Sequence, residues 1–198
     1  MYALTPRMEQ RLRQDLRKFH DLFTGDRCSA WQLEELIVAA IKSDTQAQHH
    51  VKWQEAGHDD KADILVIING REHAVQIKSG QIQEKKASLT LSGHRFGRFD
   101  GDLKRITEYL NSAPADIIAV PYKKRDGERG REHAYQIVYI PRGALTGVDS
   151  QGWAQHGKQW RTVNSSGTVL SLRPSMSWQI WWEIPLSVVR RTDWFTIG

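Results

Sequence analysis

An aspartate, an amide and an amine, Asp63, Gln76 and Lys78, lie in the stretch GHDDKADILVIINGREHAVQIKSG at residues 57–80. Asn69-Gly70 between two apolar, partly alternating runs is a strong signal for a two-residue hairpin loop. Such a loop sets Ile68 opposite Arg71 and, further out, Asp63 opposite Gln76. Lys78 shares their face, because side chains alternate along a strand with period two. Directly opposed pairs hold their Cβ atoms about 4.5–5.5 Å apart. Asp60 has the wrong parity and Asp59 lies in the turn, so the register selects one acidic residue.

A carboxylate, an amide oxygen and an ammonium on one face can hold a hard divalent cation and place a positive charge beside it. Mg²⁺ takes a few oxygen ligands and keeps several waters. Such an ion generates hydroxide near neutral pH and stabilises charge building on a phosphodiester. Lys78 would hold the attacking water or neutralise that charge.

The elements that must position this hairpin are legible on either side. Thr5-Pro6 reads as an N-cap followed by proline at the first helical position. Met8, Leu12, Leu16, Phe19 and Phe23 then recur at helical spacing. AWQLEELIVAAIKSD, capped by Ser29, is a second and more apolar helix, expected to be more deeply buried. HHVKWQEA alternates as a strand, GHDDK is a turn, and ADILVII and REHAVQIK are the hairpin strands. A polar segment from Ser79 to about Asp100 precedes a helix with Leu103, Ile106 and Leu110 on one face. ADIIAVPY reads as a buried strand, YKKRDGERGRE as a solvated loop, and HAYQIVYI as one further strand. Past Pro141, TVLSL and SWQIWWEIPLSVV are strands around a Gly/Ser/Gln-rich region. The order predicts a mixed α/β domain built on one sheet.

Composition narrows the function classes. With 198 residues, 39% hydrophobic and 26% charged, the chain suits a single soluble globular domain. No apolar run approaches the roughly 18 residues of a membrane span, and the first residues lack a secretory h-region, so a cytoplasmic location is expected. The one cysteine, Cys28, excludes an intrachain disulfide framework and reads as a buried thiol. A net charge of +5 and a pI near 9.4 favour a polyanionic partner. Six of the eight tryptophans follow residue 150, where core and interface packing come before base stacking. With no GxxxxGK[ST] there is no basis for a nucleotide cofactor. His49 and His50 point to opposite faces of a strand, and His133 and His156 fit no ligand spacing.

Asp63, twelve residues, then Gln76-Ile77-Lys78 on the third strand resembles the motif of the PD-(D/E)xK nuclease superfamily in its D…QxK form. The element order over 30–122 is similar to that family's αβββαβ core. The resemblance implies an α/β fold with a mixed central sheet flanked by helices, a restriction-endonuclease-like core and a β-rich C-terminal extension. It implies a single nuclease domain over 1–198, with an N-terminal helix in 1–28, the catalytic core in 30–122, and DNA readout or dimerisation in 123–198. Asp63 would be the central metal ligand, joined by Gln76, the main-chain carbonyl of Ile77 and Glu34, with Glu35 as the alternative. The cofactor would be Mg²⁺, with Mn²⁺ able to substitute. The family implies sequence-specific cleavage of double-stranded DNA by a homodimer, as in a small type II restriction enzyme. A junction resolvase, repair endonuclease or nuclease toxin is the alternative within the family. Outside it stands an inactive DNA-binding module, since the neutral Gln76 replaces an acidic residue and weakens the site; Ala62 in place of the usual proline is a departure common in the family. The plain structural alternative is an amphipathic surface hairpin with Asp63 and Lys78 simply solvated. Lys85, Lys86, Ser92, His94, Arg95 and Arg98 are the expected DNA contacts, the lysines on phosphates and the others among glycines on phosphates and base edges.

Overall fold

The computed structural model describes residues 1–23, 27–53, 62–112, 115–127 and 130–197, with the backbone alone for 125–127 and 130–131. Among these, three α-helices and thirteen strands make a mixed α/β protein. The expected GHDDK turn and the end of the HHVKWQEA strand lie outside the described residues. The chain forms two compact units: Met1–Ser79 with Ala115–Tyr139 and Arg191–Gly198, and Gly80–Pro114 with Ile140–Arg190. These boundaries differ from a division after residue 122, because strands on both sides of that point pair with one another.

In the first unit, α1 (Pro6–Leu22) starts where its cap predicts. The Thr5 hydroxyl accepts the Met8 N–H at 3.3 Å and donates to the Asp44 carboxylate at 2.6 Å, beside the end of α2 (Ala30–Ser43). The Gln32 side chain accepts the Ser29 N–H at 2.8 Å and so closes the first turn of α2. β2 (Ile64–Ile68) lies between β1 (His50–Trp53) and β3 (Arg71–Gln83), antiparallel to both. The β2–β3 register runs Ile68 opposite Arg71 through Ile64 opposite Val75, as the two-residue turn dictates. Asn69 and Gly70 both have positive φ, at 50° and 76°, the backbone a tight hairpin loop requires.

After β4 (Ser88–Arg95), which belongs to the second unit, β5 (Asp116–Gly127) lies beside β3 and pairs with β6 (Gly130–Tyr135). Ile64, Val66, Val75, Ile77, Ile118 and Val120 join Met8, Leu12, Leu33, Ile37 and Ile41 in one apolar cluster. Each such side chain contributes about 1.5–3 kcal/mol on burial. The helices therefore cover one face of the β2–β3–β5 sheet, and alternation points Gln76 and Lys78 to the other.

Two expectations are corrected here. YKKRDGERGRE is strand on both sides, since Lys123 pairs with Ala134 and Lys124 with His133. HAYQIVYI is two strands, β6 and β7 (Val138–Ile140), broken at Gln136 and Ile137. At the break Ile137 donates to the Thr192 hydroxyl at 3.1 Å and accepts the Thr192 N–H at 3.0 Å. Those backbone groups are thus satisfied outside a ladder. After the short β12 (Arg190–Arg191), β13 (Phe195–Ile197) pairs with β6.

In the second unit, α3 (Leu103–Asn111) starts at Asp102, whose carboxylate accepts the Arg105 N–H at 3.1 Å. The polar segment after Ser79, to which the sequence assigns no element, is largely strand: β3 continues to Gln83, and β4 follows a short turn. β4 joins β8 (Ala154–His156), β9 (Gln159–Val163), β10 (Val169–Arg173) and β11 (Gln179–Pro185) in the antiparallel order β4-β11-β10-β9-β8. One face buries Leu89, Leu91, Leu170, Leu172, Ile180, Trp182 and Ile184. Gly93 lets the sheet bulge over Trp182, for a Cβ there would lie 2.2 Å from the indole. Among the described tryptophans, Trp153 and Trp182 are buried, while Trp31 is 65% exposed.

Candidate active site

The site is built at the open end of the β2–β3 hairpin, within the first unit. Asp63 lies at a bend just before β2, one residue beyond the ladder. Its N–H donates to the Val75 carbonyl at 3.0 Å, so its backbone turns away from a regular pairing with Gln76. That turn brings the carboxylate back across β3. Oδ2 accepts the Ile77 N–H at 2.6 Å and lies 3.6 Å from the Lys78 ammonium. Both side chains are about three-quarters buried, at 24% exposure for Asp63 and 23% for Lys78. A fully solvated pair would not be.

Gln76 is 6% exposed and stands between Val75 and Ile77, both at 0%. Three consecutive buried residues mean that β3 is covered on both faces here. In a strand the N–H and C=O of one residue point to the same edge, so the Ile77 carbonyl is turned toward the edge where Asp63 stands. The donor set the sequence reading assigns to an ion is one carboxylate, one amide oxygen and one main-chain carbonyl. This donor set fits a hard cation that keeps several waters. Among the described residues, no three His, Cys, Asp or Glu side chains converge as a metal site.

The structure separates the two candidate helix glutamates. Glu34 is half-buried on α2 and Glu35 is exposed. α2 packs on the Val75–Ile77 face through Leu33, Ile37 and Ile41.

The expected DNA contacts all lie in the second unit. Lys85 and Lys86 sit in the exposed 3₁₀ turn Glu84–Lys86, and the Lys86 ammonium is 3.4 Å from the Glu183 carboxylate. Ser92 and Arg95 are exposed on β4, with His94 half-buried between them. Arg98 lies over the rings of Phe99 and Tyr109, at 5.1 and 5.4 Å. These rings hold the guanidinium by a cation–π contact.

Compared with known proteins, the chain matches no family model, no curated protein and no solved structure.

Sequence reasoning missed a buried polar group in the first unit. His20 stacks on His133 with centroids 4.0 Å apart, and its Nε2 lies 2.7 Å from the Tyr135 hydroxyl. Burial, reinforced by His133, lowers the His20 pKa below its ordinary value. The same hydroxyl accepts the Cys28 N–H at 3.3 Å, and burial pushes the Cys28 thiol up to about 12. This is the buried thiol the sequence suggests, and it is no nucleophile at neutral pH. His20 and His133 are 113 residues apart in sequence, so no local pattern could have joined them.

A cavity of about 660 Å³ opens at the opposite end of the hairpin, lined by Lys42, Asp44, His49, His50 and Asn69 among others. Asn69 is six positions from Asp63, or roughly 20 Å along a strand. The cavity is therefore separate from the candidate site.

Proposed function

We propose that this protein is a Mg²⁺-dependent endodeoxyribonuclease of the PD-(D/E)xK type. It hydrolyses phosphodiester bonds of double-stranded DNA at a specific sequence, as a cytoplasmic homodimer like a small type II restriction enzyme. One observation carries the reading: Asp63, turned off the ladder at the end of the hairpin, lies 3.6 Å from the Lys78 ammonium. The basic charge of the chain supports a polyanionic substrate.

Asp63, the Gln76 amide oxygen and the Ile77 carbonyl would hold the ion, with Glu34 assisting from α2. Bound there, Mg²⁺ or Mn²⁺ would activate a water and shield the charge that builds on the phosphoryl oxygens. Lys78 supplies the protein's own cation at that place. Its ammonium either fixes the attacking water by donating to it or donates to a non-bridging oxygen as charge develops. Asp63 aims Lys78, and the Ile77 N–H in turn aims Asp63. Gln76 adds an oxygen without adding charge.

The test is cleavage of plasmid DNA by the wild type, Asp63→Ala and Lys78→Ala, each with Mg²⁺, Mn²⁺ or EDTA. Discrete fragments in the metal-containing wild-type reactions are expected, with a loss of at least about 100-fold in either variant. Duplex binding without cleavage, across metals and varied DNA, overturns the enzymatic reading and leaves a nuclease-like binding module.

A further inference from the structure

The outward face of the second unit's sheet has a composition that the candidate active site does not explain. Residues paired across a ladder share a face, so the register identifies its members. One row runs Arg161, Ser171, Trp181, Ser92, and the next runs Arg173, Gln179, Arg95. The irregularity between Gln179 and Trp181 inserts one extra residue on β4. That insertion keeps both Ser92 and Arg95 outward, although three positions separate them.

The charge on these strands is one-sided. β4, β8, β9, β10 and β11 together contain three arginines, at 95, 161 and 173, and one carboxylate, Glu183. That carboxylate is already compensated. Lys86 lies 3.4 Å from it, and the Ser88 hydroxyl donates to it at 3.3 Å. The face therefore presents a net positive field with Ser92 and Ser171 among the arginines, while the Gln179 amide donates to the Gly93 carbonyl at 3.4 Å. Arg95 and Arg173 flank Gln179 on neighbouring strands, about 10 Å apart at the backbone.

Trp181 indicates how the surface is used. The Arg173 guanidinium lies over its ring, with Cζ 4.4 Å from the centroid. The half-buried indole thus has that guanidinium on its face and acts as a platform for the cation. A guanidinium held over a ring face keeps in-plane N–H donors that the ring does not use, and that planar fork matches phosphate oxygens.

We propose that this outward face docks the sugar–phosphate backbone of duplex DNA, with Arg161, Arg173 and Arg95 as phosphate contacts and Trp181 as the support that orients Arg173. Duplex fits better than single strand, because the aromatic ring that would stack an unpaired base already carries a guanidinium. The inference deepens the nuclease reading by assigning its substrate a second contact surface, and it rests on that reading for the choice of DNA.

The test uses the full chain and a fluorescein-labelled duplex oligonucleotide, with anisotropy measured in EDTA so that no cleavage intervenes. Arg161→Gln and Arg173→Gln should each weaken binding about tenfold, and each should reduce the slope of log affinity against log salt by about one. Ser92→Asp, which adds a repelling charge and removes no packing, should act in the same direction should an arginine variant fail to fold. Arg17→Gln on α1 makes the same charge change off the face and should leave binding within about twofold. Face variants that bind like Arg17→Gln overturn the proposal, as does wild-type binding to the single strand that equals binding to the duplex. Normal duplex binding without cleavage under any metal condition defeats the nuclease reading alone. Cleavage that persists while face variants bind normally defeats the docking surface alone.

Discussion

Replacing Asp63 should cost more stability than replacing Lys78, although the two form one ion pair. In Asp63→Ala the Ile77 N–H loses the charged acceptor it meets at 2.6 Å. Hydrogen bonds to charged groups contribute about 1.5–3 kcal/mol. Lys78, its side chain 23% exposed, also loses its counterion at 3.6 Å; partial solvent screening limits that term to about 0.2–1 kcal/mol. The sum is about 2–4 kcal/mol. Lys78→Ala forfeits only the smaller term, since Ile77 still satisfies the carboxylate. Asp63→Asn keeps an acceptor oxygen and should fall between the two. Urea unfolding followed by circular dichroism reads these differences as shifts in midpoint at constant slope. In a thermal scan the Asp63→Ala loss corresponds to about 2–4 °C per kcal/mol for a chain of this size. An Asp63→Ala variant no less stable than Lys78→Ala would refute the reasoning, because the backbone amide would then not be holding the carboxylate.

Two further outcomes are expected from packing and titration. The His20 pKa is lowered by burial and by His133, so the folded state resists a proton that the unfolded chain accepts below about pH 6.5. Stability should therefore be full above that pH and decline as the pH falls toward the folded value, by up to about 1.4 kcal/mol per unit. His20→Phe should flatten this part of a pH series of urea melts, and an unchanged profile would contradict it. Gly93→Ala should destabilise by about 1–3 kcal/mol, because the new methyl would meet Trp182 at 2.2 Å and Ile180 at 2.6 Å. Gly143→Ala, with nothing within 4 Å, is the control and should stay within about 0.5 kcal/mol.

What could be read from the sequence was what local chemistry dictates. Asn69-Gly70 fixes its turn through backbone conformations that few other pairs adopt, so the whole β2–β3 register followed from two residues. The cap at Thr5 acts within three residues and was equally visible; the one at Asp102 acts as locally but was not read from the sequence. Thr5 reads as a cap in the sequence, and Asp102 stands just ahead of the predicted helical face. The Asp63 bend was not legible. It depends on a bond from its own side chain to Ile77, which takes the residue off the ladder it was expected to extend. β4 was missed because its alternation stops after Leu91, and Gly93, His94 and Arg95 read as loop. Its first residues pair with β3 nearby, but Ser92 and Arg95 pair with β11, some ninety residues away, and that pairing supplies what propensity does not. The break at Gln136 had no local cause either, because Thr192 satisfies it.

The way the two units divide the chain bears on how it can fold during synthesis. The path passes between them after residues 79, 114, 139 and 190. Multidomain chains commonly fold as they emerge, the earlier domain first. Here the unit that begins first closes last, since β6 receives β13 only when Phe195–Ile197 have appeared. The second unit lacks β11 until residue 185. A ribosome-bound chain stalled before that point carries β4 with its β11-facing edge unpaired, and with it the burden of staying unaggregated until the final strands arrive.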